Sequence, residues 1–184
     1  MAAFDELDFT RFDFDALVVR AGITVVGADH REACLASLRR QSYAIESIDF
    51  REGISPAYAT MNALLRWEEQ FGYELRWHEG SSLDALRDGF EFELRPGGGM
   101  VLEIRGAVEA YGENSHFFLG LPAIAHEYSL HQLALGARFF TILFLDPGTS
   151  LVGVQYDSLC IPDAYVIHPR LKDPFAGWPE APPI

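Results

Sequence analysis

Asp84 and Asp88 stand four residues apart in Gly80-Ser81-Ser82-Leu83-Asp84-Ala85-Leu86-Arg87-Asp88-Gly89-Phe90. At that spacing two side chains lie one above the other on a helix. Like charges so placed cost roughly 0.2–0.5 kcal/mol. Asp84 recovers part of this from the helix N-terminus, whose dipole favours anions. Asp88 sits at the edge of that benefit and needs another reason to be there. The ordinary reading is a solvated helix face. The functional one is a pair of fixed carboxylates offered to a cationic cleft. As an acid/base pair they lack support, because a surface face gives no cause for the raised pKa of a general acid.

Other chemistry-bearing patterns are weaker. His126 and His131 are five apart in His-Glu-Tyr-Ser-Leu-His, whereas a zincin helix needs two histidines four apart on one face. Pro96-Gly97-Gly98-Gly99 has neither the lysine nor the following helix of a phosphate-binding loop, and reads as a turn. No Gly-x-Ser-x-Gly elbow occurs, and neither Cys34 nor Cys160 has a neighbouring histidine, so nucleophilic catalysis has no positive support. The chain is read as a non-enzyme without metal or cofactor.

The acidic segment needs a helix and a body to carry it. Ser81 and Ser82 offer N-cap oxygens, and Leu83, Leu86 and Phe90 form the apolar stripe. A chain of 184 residues, 49% hydrophobic and 22% charged, has the size and profile of one globular domain. Its net charge of −13 argues against direct nucleic-acid binding. The same charge favours association with a basic partner. No apolar run approaches a membrane span. The acidic start lacks the features of a secretory signal, and two lone cysteines read as free thiols; together these point to the cytoplasm.

In chain order, residues 1–20 alternate aromatic and acidic side chains and suggest an arm packed on the body. Residues 22–26 read as a strand, followed by a helix capped by Asp29 and a second strand over 43–50. Strand–helix–strand predicts a parallel pair joined by a crossover. Ser55-Pro56 predicts the N-cap and first position of a long helix running to Gly72. A strand over 100–106, a polar connection over 107–115 and a helix over 116–135 with Pro122 inside follow. Residues 139–145 form the most apolar strand, expected at the sheet centre and covered on both faces. Residues 151–156 could add an edge strand, and the proline-rich tail from Pro169 is expected on the surface.

The wording Leu83-Asp84-Ala85-Leu86, with Asp88 after it and Gly80 before it, resembles the signature of the barstar family, small cytoplasmic proteins that plug the active sites of secreted ribonucleases. The order strand, helix, acidic helix, strand, helix, strand from Tyr43 to Asp146 is similar to that family. Met100–Arg105 looks like its Leu-Glu-containing second strand, and Gly136–Phe144 like its closing glycine and last strand. The resemblance implies that Asp84 and Asp88 replace RNA phosphates in a ribonuclease active site. It also implies contacts from Trp77, His78, Glu79 and Gly80 in the preceding loop. Three positions depart from the pattern: Ser82 stands for an asparagine, Arg87 for a tryptophan, and His131 for an acidic residue, with Glu127 one turn away. They point to a target other than barnase.

The resulting expectation is one α/β domain over 1–184, with a small, mainly parallel sheet flanked by helices. Within it, 1–42 is an arm plus an added strand–helix unit, 43–146 a barstar-like core, and 147–184 a C-terminal extension. The expected function is an immunity-type inhibitor of a basic ribonuclease or nuclease toxin, with Trp77, His78, Glu79, Gly80, Ser82, Asp84, Arg87 and Asp88 at the interface. The alternative is a non-catalytic regulatory or scaffold domain acting through self-association or another protein partner.

Overall fold

A computed structural model of the chain describes residues 13, 17, 22–76, 83–90, 94 and 99–145. Four parallel strands, β1 (Ile23–Gly27), β2 (Tyr43–Asp49), β3 (Gly99–Arg105) and β4 (Arg138–Leu145), form one sheet in the order β1-β4-β3-β2. Among the described residues six α-helices accompany them: α1 (Arg31–Arg40), α2 (Ile54–Leu64), α3 (Trp67–Phe71), α4 (Leu83–Gly89), α5 (Ala107–Glu113) and α6 (Ser115–Ala134). The α/β architecture with a parallel sheet is the expected one. β4 lies inside the sheet, and its side chains alternate between two cores, as a doubly covered strand requires.

The winding direction explains the two cores. From β1 the chain crosses the whole sheet to β2, then returns one strand at a time to β3 and β4. Crossovers of one hand must then place α1 on one face and the later helices on the other. Cys34, Leu35 and Leu38 of α1 accordingly pack with Tyr43, Val101, Phe140 and Phe144. On the opposite face Tyr58, Met61, Leu86, Phe118 and Tyr128 pack with Ile48, Ile104, Phe139 and Leu143. β1 and β2 are thus not a hydrogen-bonded pair, contrary to the strand–helix–strand expectation; β4 and β3 lie between them.

Several local expectations change for identifiable reasons. α1 starts through a 3-10 turn over Ala28–His30 with no side-chain cap, so Asp29 is not the N-cap. The α2 N-cap is Gly53 rather than Ser55; a distant carboxylate, Glu113 on α5, accepts from the Ile54 N–H at 2.8 Å. Pro56 still falls in the first turn, where its missing N–H costs nothing. The long helix expected to run to Gly72 breaks at Arg66, which takes a left-handed φ of 49°. Residues 107–113 are helical, not a connection, because Ala107 and Ala110 are buried. Asn114 caps α6 by accepting from the Phe117 N–H at 2.9 Å.

Of residues 1–20, Asp13 and Leu17 are described, and both are buried. Tyr43 Oη donates to Asp13 Oδ2 at 2.6 Å, and Arg138 Nη1 lies 3.2 Å from the same oxygen. The expected edge strand over 151–156, the tail and Cys160 lie outside the described residues.

Candidate functional site

α4 is short, seven residues, and a helix of that length is held by its packing rather than by its own hydrogen bonds. Leu86 and Phe90 are buried, and Phe90 meets Tyr128 and Phe139 edge-on at 5.7 and 6.4 Å. Full burial of a leucine or phenylalanine contributes about 1.5–3 kcal/mol each. Two glycines permit the close approach. A Cβ on Gly89 would lie 2.3 Å from Trp67 Cζ3, and one on Gly120 of α6 would lie 2.2 Å from Leu83 Cδ1. The end of α4 is tied to α3 as well, since Gln70 Nε2 donates to the Gly89 carbonyl at 3.2 Å.

This packing leaves Asp84 and Asp88 on the exposed side, with the Asp84 side chain 88% exposed. Among the described residues no hydrogen bond or ion pair engages Asp88. Arg87, 53% exposed, turns toward α6. Its Nε lies 3.1 Å from Glu127 Oε2 and its Nη2 donates to Glu127 Oε1 at 3.3 Å, while Asp84 Oδ1 is 3.7 Å from Nη1. Arg87 and Glu127, one turn from His131, therefore form a surface pair beside the two aspartates.

Trp77, His78, Glu79, Gly80 and Ser82 lie outside the described residues. The segment leading to them is anchored. Asn62 Oδ1 accepts from the Leu75 N–H at 2.7 Å, and Asn62 Nδ2 donates to the Leu75 carbonyl at 2.6 Å. One amide side chain thus satisfies both backbone groups of Leu75, as a neighbouring strand would.

The sequence reading passed over a second polar cluster. Glu103 of β3 is fully buried. Arg31 Nε and Nη2 donate to its two oxygens, the latter at 3.0 Å, and its β2 neighbour Ser47 donates to Oε2. Burial pushes the carboxyl pKa up, but hydrogen bonds from Arg31 and Ser47, with the charges of Arg31 and Arg105, outweigh it and hold it below the usual range. The available signal was one carboxylate inside the apolar run Met-Val-Leu-Glu-Ile. At the strand ends Asp49 accepts from Arg51 Nε at 2.9 Å and from the Arg51 backbone N–H at 3.1 Å. These bonds, opposed by partial burial and helped by Arg105, bring its pKa down to about 2.

His126 and His131 are both on α6, the first half-buried and the second exposed. Among the described residues no group of three or more His, Cys, Asp or Glu is placed to hold a metal ion, and no helix is long and apolar enough to cross a membrane. No family model, curated protein or solved structure matches the chain.

Proposed function

We propose that the chain is an intracellular, immunity-type inhibitor of a basic ribonuclease or nuclease toxin, occluding its active site with the carboxylates of Asp84 and Asp88. The observation that carries this reading is the pair of exposed aspartates on one helix that is clamped on its other side by Trp67, Leu86 and Phe90. Carboxylates fixed in this way lose little conformational entropy on binding. They present anions to a cleft built for phosphates, and a net charge of −13 attracts its cationic owner.

The barstar resemblance is part of the same proposal. From β2 the elements run α2, α3, α4, β3, α5, α6 and β4, and the place of the acidic helix between β2 and β3 supports that reading. The tryptophan-to-arginine departure is compatible with it, because Arg87 is paired to Glu127 rather than left to repel a cationic partner.

Replacing both aspartates by alanine tests the reading. Truncating one member of a buried, hydrogen-bonded interfacial charge pair costs about 2–5 kcal/mol, so D84A and D88A should each weaken nuclease binding at least tenfold while leaving the Tm nearly unchanged. Binding by both variants equal to the parent's would exclude α4 as the interface. A second reading, self-association, draws on the aromatic patch at the end of α3, where Phe71 and Tyr73 are 38% and 55% exposed against Trp67. Salt separates the two: an ionic interface weakens as salt rises, and an apolar one responds little.

A further inference from the structure

A cavity of about 240 Å³ opens at the carboxyl ends of the strands, lined by Arg31, Arg51, Arg105, Gly106, Glu109 and Leu145 among others. Its position follows from the winding. The chain leaves β1 toward the α1 face and leaves β3 toward the opposite face, and the end of β4 lies between these diverging exits. In open parallel sheets that crevice is where ligands bind, because the departing loops part there. The floor is built tightly: Gly106, at φ 69°, sits so near the turn after β2 that a Cβ would lie 2.4 Å from the Arg51 nitrogen.

The lining is cationic in an otherwise acidic chain. Arg51 and Arg105 share Asp49, and Arg31 and Arg105 flank Glu103. Glu32 meets Arg31 from the solvent side, and Glu109 is at the cavity wall. The cavity lining itself holds these three guanidiniums and one carboxylate, Glu109, while Asp49, Glu103 and Glu32, which pair with the arginines, are not part of it. Arg105 is held loosely, at 3.3 Å from Asp49 and 3.9 Å from Glu103. Planar guanidiniums with spare donors suit a tetrahedral dianion. A cavity below the roughly 300–1,000 Å³ of drug-sized sites limits the ligand to a small molecule.

We propose that this cavity binds a small hydroxylated phosphate monoester, its dianion on Arg51 and Arg105 and its hydroxyls toward Glu109. The site shares no residue with α4, so it stands or falls separately from nuclease inhibition. The test titrates the full-length protein with ribose 5-phosphate, ribose and sodium sulfate at matched ionic strength, following backbone amides by NMR. Ribose 5-phosphate should shift Gly106 and Val108 saturably, ribose should not, and sulfate should act at least tenfold more weakly. R51Q, altered at a half-exposed side chain, should lose affinity at least tenfold with its remaining spectrum preserved. V108W, which fills the mouth, should abolish binding, and D84A should leave it unchanged. A non-saturable response, equal responses to ribose 5-phosphate and sulfate, or parental affinity in R51Q would each overturn the proposal.

Discussion

Arg87 of α4 and Glu127 of α6 meet across the surface with Nε 3.1 Å from Oε2, while Nη1 of the same guanidinium stays 3.7 Å from Asp84 Oδ1, so the cation is shared between the two carboxylates. An exposed pair of this kind contributes about 0.2–1 kcal/mol to stability. Its larger effect is on charge placement. E127A should leave the thermal midpoint almost unchanged and slow association with a basic nuclease several-fold at low salt, an effect that stopped-flow mixing should see vanish at high salt.

Gly89 separates packing from charge. Alanine is favoured over glycine in a helix by about 1 kcal/mol, yet a Cβ here would press on the Trp67 ring at 2.3 Å and on Leu65 Cδ1 at 3.3 Å. Overpacking of this order costs about 1–3 kcal/mol, so the clash prevails. G89A should lower the urea midpoint and, by displacing α4, also weaken partner binding. D88A should change binding alone. A G89A protein as stable as the parent would show that Trp67 can move aside.

Glu103 and Asp49 predict the acid limb of stability. Both have folded pKa values below their unfolded ones, which are about 4.3 and 3.9. Their stabilisation is therefore complete above those values and is lost as pH falls through the folded ones, about 2 for Asp49. Urea melts between pH 5 and 2 should show falling stability, and E103Q should flatten that fall. E103A, which leaves Arg31 facing an empty site, should cost no more than the low end of about 3–5 kcal/mol, because Arg31 still reaches solvent.

Cys34 is fully buried on the sheet-facing side of α1, and burial, with the nearby Glu103 charge, raises its thiol pKa to about 12. A thiol so protonated and enclosed is inert. In a C160S background, a colorimetric thiol reagent at pH 8 should label Cys34 only as fast as the protein opens, and urea should accelerate labelling. Immediate stoichiometric labelling of the native protein would contradict the packing of α1 on β4.

Periodicity and apolar runs made the strands and the covered position of β4 legible, because a buried parallel strand is apolar along its whole length. The neighbours of β1 were not legible. Local order gives strand, helix, strand, but the insertion of β4 and β3 between β1 and β2 is decided by contacts between residues some hundred positions apart. The exposed faces of Asp84 and Asp88 followed from the spacing of Leu83, Leu86 and Phe90. Caps failed where the partner was distant: Ser55 looked sufficient, and Glu113 took the role. The helix over 107–113 was missed because its buried face is two alanines, too small a signal among polar neighbours. Trp77, His78, Glu79, Gly80 and Ser82 rest on the family resemblance alone.

β1 pairs with β4 along its whole length, from Ile23 opposite Thr141 to Gly27 opposite Leu145. That ladder has a consequence for solubility. Without it, Phe140, Ile142 and Phe144 would belong to a free margin able to recruit a strand from another molecule. β1 is therefore a seal on the sheet, and proteolytic removal of it would bare that margin and favour fibrils.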